Sequence, residues 1–254
     1  MTTRTVLITG SGSGFGKGAA IELAARGHRV IATTETQAQA DSLAAEHPAL
    51  DARKLDVTSS ADIAAVADLE LDVLINNAGL GVMAPLESVP MERVRASFDV
   101  NVFGMVELSQ AVIPGMRARG WGRIINVSSV AGKMAGALGS PYCMTKHAVE
   151  AFTSSLRAEM APFGIDVTKV NPGPYDTGFN DRMVNGIASW IAPDDAATTE
   201  AHAAISDIVL TGQLDPAEVA TVLADLTLAE QTPAETLLPE GIGELLAAAI
   251  DGAG

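Results

Sequence analysis

The amino-acid sequence predicts an α/β fold: a doubly wound parallel sheet with helices on both faces, in a single domain over residues 1–254. Short β-branched runs alternate with longer helical segments along most of the chain. Hydrophobic residues make up 48% of the sequence and aromatic residues only 4%, so the core must consist mainly of aliphatic side chains. That composition is typical of helices packed on a buried parallel sheet.

Strand and helix signals follow one another in a regular order. We predict strands at Val6–Thr9, Val30–Thr33, Arg53–Val57, Val73–Asn76, Arg123–Val127 and Asp166–Val170. We predict helices at Ala19–Arg26, Gln37–Glu46, Ala61–Ala67, Met91–Arg119 (bent around Gly104 and Pro114) and Pro141–Met160. Repeated strand–helix–strand units imply right-handed crossovers and a parallel sheet, which binds ligands at the carboxyl ends of its strands.

The periodicity breaks down over residues 176–214, a segment too long for a routine connection. We interpret this segment as a mobile substrate-covering loop with short helices at Asp181–Trp190 and Glu200–Val209. A helix start follows at Asp215–Glu218, and Leu237–Ile250 forms a last helix or strand region.

The formal charge of −15 argues against binding to nucleic acid or to an anionic membrane surface. Cys143 is the single cysteine, so neither an intrachain disulfide nor a cysteine metal site is expected, and the four histidines lack ligand spacing. The first residues do not resemble a signal peptide, and no apolar run approaches the ~20 residues of a membrane span. We therefore expect a cytoplasmic protein without a metal.

A glycine-rich turn, Thr9-Gly10-x-x-x-Gly14-x-Gly16, follows the first predicted strand. Glycines at such a turn let the backbone approach a pyrophosphate, which rests on the N-terminus of the next helix. The spacing differs from G-x-G-x-x-G, so a tight structural turn and a methyl-donor site remain alternatives.

Glu35 lies 19 residues beyond Gly16, near the ~20 expected for a residue that meets the adenosine ribose. A carboxylate there accepts hydrogen bonds from the 2′-hydroxyl and repels a 2′-phosphate. No Arg or Lys occurs at residues 33–36 or between Gly10 and Gly16. We therefore expect NAD rather than NADP; the alternative is that Glu35 is solvated and Thr34 faces the ribose.

Tyr142 and Lys146 are four residues apart on a predicted helix, so both side chains project from one face. A phenol with an ordinary pKa of about 10 is a poor base at neutral pH. A nearby ammonium favours the phenolate, so we expect Lys146 to bring the pKa of Tyr142 towards the range for general acid–base catalysis. The alternative is an ordinary pair on a helix surface.

Two further polar residues are candidates for the same site. Ser129 follows a predicted strand, where its hydroxyl would polarise a substrate oxygen; Ser128 competes for this role, and a turn or cap is the structural alternative. Asn101 lies inside the long predicted helix, where asparagine is unfavourable. We expect Asn101 to hold a water that links Lys146 to solvent, unless it bonds the helix backbone.

In this order and spacing the motifs resemble the short-chain dehydrogenase/reductase family over about residues 5–177. The resemblance rests on the glycine turn, Asn76-Asn77-Ala78-Gly79, Asn101, Ser129, Tyr142-x-x-x-Lys146 and Pro172-Gly173 with Thr177. It implies a Rossmann-like sheet, a catalytic tetrad of Asn101, Ser129, Tyr142 and Lys146, and a homodimer or homotetramer. Together with the turn and Glu35, it predicts a cofactor site of Gly10, Ser13, Gly14, Phe15, Gly16, Thr34, Glu35, Asp56, Val57, Asn77, Ala78, Gly79, Tyr142, Lys146, Pro172, Gly173, Tyr175 and Thr177. Tyr175 departs from the Val or Ile usual at its position.

The expected reaction is hydride transfer between NAD(H) and a small-to-medium hydrophobic secondary alcohol or ketone, with Tyr142 as general acid or base. The substrate candidates are mostly apolar: Ser129, Met134, Tyr142, Phe179 and Met183, with Met83, Ala137, Leu138 and Trp190 beside them. The alternatives are an NADPH-dependent carbonyl reductase and a non-catalytic NAD(H)-binding sensor on the same fold.

Overall fold

The computed structural model describes residues 3–187 and 196–251. Within these residues seven parallel strands form one sheet in the order β3-β2-β1-β4-β5-β6-β7. The strands are β1 Thr5–Ile8, β2 Arg29–Thr34, β3 Asp51–Lys54, β4 Val73–Asn76, β5 Gly122–Val127, β6 Ile165–Pro172 and β7 Glu235–Leu238. Strands β2 and β3 are added on one side of β1, and β4 to β7 on the other. The strand order therefore reverses between β1 and β4, and a crevice opens at the carboxyl ends of these two strands. The predicted Rossmann-like fold, in a single domain, is confirmed.

Helices cover both faces of the sheet. They are α1 Gly14–Ala25, α2 Gln37–Glu46, α3 Ser60–Ala64, α4 Met91–Phe98, α5 Gly104–Arg119, α6 Ser140–Met160, α7 Phe179–Ile187, α8 Ala196–Leu210, α9 Ala217–Leu228 and α10 Ile242–Asp251. Successive strand residues face opposite sides: Val6 and Ile8 pack with α1 and α9, whereas Leu7 packs with α5 and α6. Two aliphatic cores result, as the composition predicts.

Three predicted elements differ from the structure. The predicted last helix or strand region, Leu237–Ile250, consists of a strand at Glu235–Leu238 and a separate helix at Ile242–Asp251. The predicted strand Arg53–Val57 ends at Lys54, and Asp56 instead accepts hydrogen bonds from the backbone N–H and the hydroxyl of Thr58, which turns the chain. The predicted single helix Met91–Arg119 is split by a π-helical segment at Asp99–Phe103. A side chain at Gly104 would collide with the carbonyl oxygen of Val57, so glycine permits this close approach, and the bend around Gly104 and Pro114 stays a prediction.

The segment predicted to cover the substrate contains α7 and α8, close to the predicted short helices. Trp190 lies outside the described residues, and the mobility of the segment stays a prediction. No helix in the described part of the chain has the length and apolar character needed to cross a membrane.

Buried Arg123 connects the sheet to the C-terminal end of α9. Its guanidinium donates to the carbonyl oxygens of Leu226 at 2.6 Å and Ala229 at 2.8 Å, and it pairs with Asp166 at 3.2 Å. Carbonyl groups at the C-terminal end of a helix have no intrahelical donor, so Arg123 supplies the hydrogen bonds that these carbonyl groups would otherwise lack.

Candidate active site

The glycine turn lies between β1 and α1, at the carboxyl edge of the sheet. Gly10 and Gly14 have φ values of +67° and +55°, which favour glycine. A Cβ on Gly10 would lie 2.9 Å from Cα of Ala78, and one on Gly14 would lie 2.8 Å from Cβ of Thr177. The turn therefore presents bare backbone and the N-terminus of α1 to a cavity, the arrangement that fits a dinucleotide pyrophosphate.

Thr9 and Asn77 tie this turn to the segment after β4. The Thr9 hydroxyl accepts hydrogen bonds from the backbone N–H groups of Asn77 and Ala78, at 2.9 and 3.0 Å. The Asn77 amide donates to the carbonyl oxygens of Thr9 and Gly10. A Cβ on Gly16 would lie 2.5 Å from this amide, so Gly16 permits close packing and does not line the cavity, although we predicted it as a cofactor residue.

The far end of the cavity is lined by the residues predicted to meet adenosine, Thr34, Glu35, Asp56 and Val57. Thr34 is buried and donates its hydroxyl hydrogen to the carbonyl oxygen of Thr36, whereas Glu35 is exposed. Glu35 is therefore the side chain that is free to meet a ribose from the end of β2.

Sequence analysis missed one cation at this end. Lys17, the residue after the last glycine of the turn, lines the cavity and pairs with Glu46 at the end of α2. The turn from Gly10 to Gly16 contains no basic residue, and Lys17 is the residue that follows it directly.

Tyr142 and Lys146 come from the first two turns of α6, and Ser129 comes from the loop after β5. The Ser129 side chain lies near Tyr142 and acts to lower the pKa of its phenol, while the Ser129 hydroxyl donates to the carbonyl oxygen of Pro172 at 3.5 Å. Lys146 donates to the carbonyl oxygen of Val127 at 2.9 Å, and its Nζ lies 5.7 Å from the centre of the Tyr142 ring. All three line the same cavity. The structure thus brings together three of the four predicted catalytic residues.

Ser128 competes poorly for the role of Ser129. A Cβ on Gly132 would lie 3.0 Å from the Ser128 hydroxyl and 2.9 Å from Cγ of Glu150. The Ser128 hydroxyl therefore faces Gly132 and Glu150, while Ser129 is the serine that acts on the pKa of Tyr142.

Burial dominates the titration of both catalytic groups on α6. It raises the pKa of Tyr142 to about 12, although the Ser129 side chain acts in the opposite direction. It lowers the pKa of Lys146 to about 8, although Glu150 acts to raise it. The pKa of Tyr142 is therefore raised, opposite to the direction that we expected from Lys146, because loss of hydration is the largest effect. Tyr142 is a protonated phenol at neutral pH, suited to donate a proton.

Asn101 lies in the π-helical segment and does not line the cavity. Its amide exchanges hydrogen bonds with the backbone N–H and carbonyl of Leu80, at 2.7 and 2.8 Å, and donates to the hydroxyl of Thr145 at 2.9 Å. Thr145 precedes Lys146, so Asn101 holds α6 against the segment after β4. The predicted role of Asn101 in holding a water stays a prediction.

The cavity has a volume of about 1330 Å³ and continues past Tyr142 to an apolar end. The apolar side chains of this end are Met83, Met134, Ala137, Leu138, Phe179 and Met183, together with Cys143, Ala204 and Val209, and their contact with a substrate stays a prediction. Phe179 lies against Tyr142, with ring centres 5.8 Å apart. Arg182 also lines the cavity, whereas Lys133 turns away and pairs with Glu150 and Glu235.

The remaining predicted cofactor residues, Ser13, Phe15, Asn77, Ala78, Gly79, Pro172, Gly173, Tyr175 and Thr177, all line the cavity. The Tyr175 side chain is buried: its hydroxyl donates to Glu218 at 2.6 Å and its ring packs against Phe15, centre to centre at 5.6 Å. Its phenol thus points into the fold. Among the described residues, no cluster of His, Cys, Asp or Glu could hold a metal ion.

The sequence matches the short chain dehydrogenase family over residues 4–187. The chain belongs to this family. Uncharacterized oxidoreductase YusZ of Bacillus subtilis (strain 168) is 37% identical over 239 residues, which cover 89% of this chain and 85% of that protein. Retinol dehydrogenase 8 of Homo sapiens is 36% identical over 192 residues and 71% of this chain. The match covers only 62% of that longer relative.

Solved structures share the fold over nearly the whole chain. A gluconate 5-dehydrogenase from Burkholderia cenocepacia J2315, in complex with NADP and tartrate, has a TM-score of 0.79 and 29% identity, with 96% of each chain covered. A short-chain dehydrogenase/reductase from Burkholderia phymatum, in complex with NAD, has a TM-score of 0.84 and 24% identity, with 99% of this chain and 94% of that chain covered. Both nucleotides thus occur among the structural neighbours.

Proposed function

We propose that this protein is an NAD(H)-dependent oxidoreductase that interconverts a small-to-medium hydrophobic secondary alcohol and its ketone. The observation that carries the proposal is that Tyr142 and Ser129 line one cavity together with the glycine-rich turn and a set of apolar side chains. Family membership supports the oxidoreductase class.

The chain's own groups account for binding and proton transfer. Bare backbone at Gly10 and Gly14 would hold the nicotinamide dinucleotide, which supplies or accepts the hydride when bound. Ser129 and Tyr142 would hold the substrate oxygen, and Tyr142 would donate a proton to it during reduction. The ammonium of Lys146 favours the phenolate that then remains.

An NADH-linked screen of hydrophobic ketones and secondary alcohols, followed at 340 nm, tests this proposal. We expect Tyr142→Phe to lower kcat by about 10²–10⁴-fold, the usual contribution of a general acid. NADH affinity of the variant, measured by fluorescence, should stay within a few-fold of the wild type, because the groove is unchanged. A protein that binds NADH but turns over no substrate would instead be the sensor, and a Tyr142→Phe variant with full turnover would exclude the acid role.

The preference for NAD is supported by Glu35, the exposed carboxylate at the ribose end of the cavity. NADPH-dependent carbonyl reduction is the second candidate, favoured by Lys17 in the same lining and by the NADP-bound gluconate 5-dehydrogenase. The ion pair of Lys17 with Glu46 supports NAD, since it offsets the cation. Comparison of kcat/KM for NADH and NADPH decides between them, and Glu35→Ser should raise the NADPH value; equal or better use of NADPH by the wild type would reject NAD.

We also propose a cytoplasmic homodimer or homotetramer. The single cysteine suits a reducing compartment. Exposed apolar side chains such as Leu86, Met91 and Phe103 provide contact area for a second copy. Light scattering coupled to gel filtration gives the oligomeric state, and a monomer would contradict this part of the proposal.

A further inference from the structure

A closed network of charged and polar side chains lies directly behind the catalytic residues. Its centre is Glu150 on α6, four residues beyond Lys146, with a side chain only 12% exposed. Glu150 Oε2 pairs with the ammonium groups of Lys133 at 2.7 Å and Lys169 at 2.8 Å. The proton-transfer chemistry proposed above makes no use of these three groups.

The network reaches Ser129 through one amide. Asn171, on β6, is fully buried and donates to Glu150 Oε1 at 2.6 Å. The same amide nitrogen donates to the carbonyl oxygen of Ser129 at 3.0 Å. Both hydrogens of the Asn171 amide are thereby used, so Glu150 fixes the orientation of a side chain that holds the backbone of Ser129.

The network also acts on Lys146 through charge. Lys146 is buried, and the negative charge of Glu150 acts to raise its pKa. The charged or titratable groups near Glu150 are Tyr142, Lys146 and the exposed His147 on α6, Lys133 after β5, Lys169 on β6 and Glu235 on β7. Without the carboxylate of Glu150, Lys133 and Lys169 would share Glu235 as their one acidic partner among the described residues.

We propose that Glu150 is a positioning residue that orients Ser129 through Asn171 and places a buried negative charge one helical turn beyond Lys146. This inference rests on the proposed function, because Ser129 and Lys146 act only in that reaction. It predicts two separable effects of Glu150, one on the position of Ser129 and one on the charge near Lys146.

Two substitutions separate these effects. Glu150→Gln removes the charge but retains an oxygen that accepts from Asn171. We expect its kcat at pH 6 to stay within about fivefold of the wild type, and the alkaline limb of ketone reduction to move down by roughly 0.5–1 pH unit. Glu150→Ala removes both effects, and we expect kcat to fall by about 10–100-fold with unchanged NADH affinity, because a small displacement near the chemistry is costly. Glu159→Gln, an exposed carboxylate on the same helix, is the matched control and should change neither value.

Folding and the proposed function are controlled separately. If Glu150→Ala does not fold, Glu150→Ala with Lys169→Met removes a lysine together with its partner and carries the same test. The pKa of Lys146 can also be followed by NMR of labelled lysine without substrate, with Lys146→Met for assignment; it should fall in Glu150→Gln even if no substrate is known. An unmoved lysine titration and limb in Glu150→Gln, or full turnover in the folded alanine variant, overturns the inference. Loss of wild-type turnover alone would instead reject the proposed function.

Discussion

The titration of Lys146 gives a quantitative prediction for ketone reduction. Burial lowers the pKa of this lysine to about 8, while Tyr142 remains protonated up to about pH 12. The proton donor is therefore available throughout the neutral and mildly alkaline range. The ammonium that stabilises the resulting phenolate is lost above about pH 8. Reduction should consequently fall on the alkaline side because of the lysine and not because of the tyrosine.

The size of the effect follows from the pKa of about 8. At pH 6 about 99% of Lys146 is protonated, and at pH 9 about 9%, so kcat/KM should fall about elevenfold over this interval. The assay is NADH oxidation at 340 nm with one ketone at constant ionic strength from pH 6 to 9.5. Lys146→Arg supplies the control, since a guanidinium stays protonated over the whole range. We expect that variant to be slower but to lack the alkaline limb.

Two results would refute this reasoning. A wild-type profile that is flat to pH 9.5 would mean that the charge of Lys146 does not matter for proton transfer. A limb that persists unchanged in Lys146→Arg would assign it to another group. In either case the pKa-based account of the site would have to be abandoned, although the fold and family membership would stand.

Three further substitutions test other parts of the structure. Lys146→Met should abolish turnover yet raise the free energy of unfolding at pH 7 by about 1–3 kcal/mol. The reason is that the lowered pKa of Lys146 in the folded protein destabilises the fold fully below pH 8, and this destabilisation disappears towards pH 10.5. Thermal melts at pH 7 and 10 measure the difference. Gly14→Ala should weaken NADH binding by about tenfold, by calorimetry, since φ is +55° and the new Cβ meets Thr177. Arg123→Met should cost about 2–4 kcal/mol in urea unfolding, because it strips partners from carbonyl groups and Asp166. Each of these three arguments has a result that would contradict it. These results are, in order, a lower stability of Lys146→Met, an NADH affinity of Gly14→Ala within twofold of the wild type, and an unchanged urea midpoint of Arg123→Met.

The sequence predicts most of the sheet because each strand is a short aliphatic run that must be buried on both faces. The third and seventh strands are the exceptions, since Glu235–Leu238 overlaps the start of a region predicted only as helix or strand. Arg53 and Lys54 are polar, and the apolar Leu55 and Val57 that suggested a strand up to residue 57 are buried beneath a turn made by Asp56. Apolar periodicity reports burial, and it does not distinguish a strand from a well-packed turn.

Side-chain partners were harder to predict than elements. The spacing of Tyr142 and Lys146 places them correctly, because four residues on a helix share a face whatever surrounds them. The pKa of Tyr142 depends on how completely the site excludes water, which only the packed structure gives. Asn101 likewise finds its partners 21 and 44 residues away, at Leu80 and Thr145, and sequence spacing carries no signal for such contacts.

One helix sets the geometry of the whole candidate site. Tyr142, Lys146 and Glu150 follow one another at intervals of four residues on α6, so a rotation of this helix would move all three together. Asn101 holds α6 through Thr145, and Asn171 on β6 holds it through Glu150. A displacement of about 1 Å at the reacting groups can lower the rate about 10²-fold. The two asparagines therefore restrain the movement of α6 that would displace these groups. Helices α7 and α8 carry none of these three α6 residues, but Phe179 at the start of α7 packs against Tyr142, so a change at Phe179 can move the proton donor.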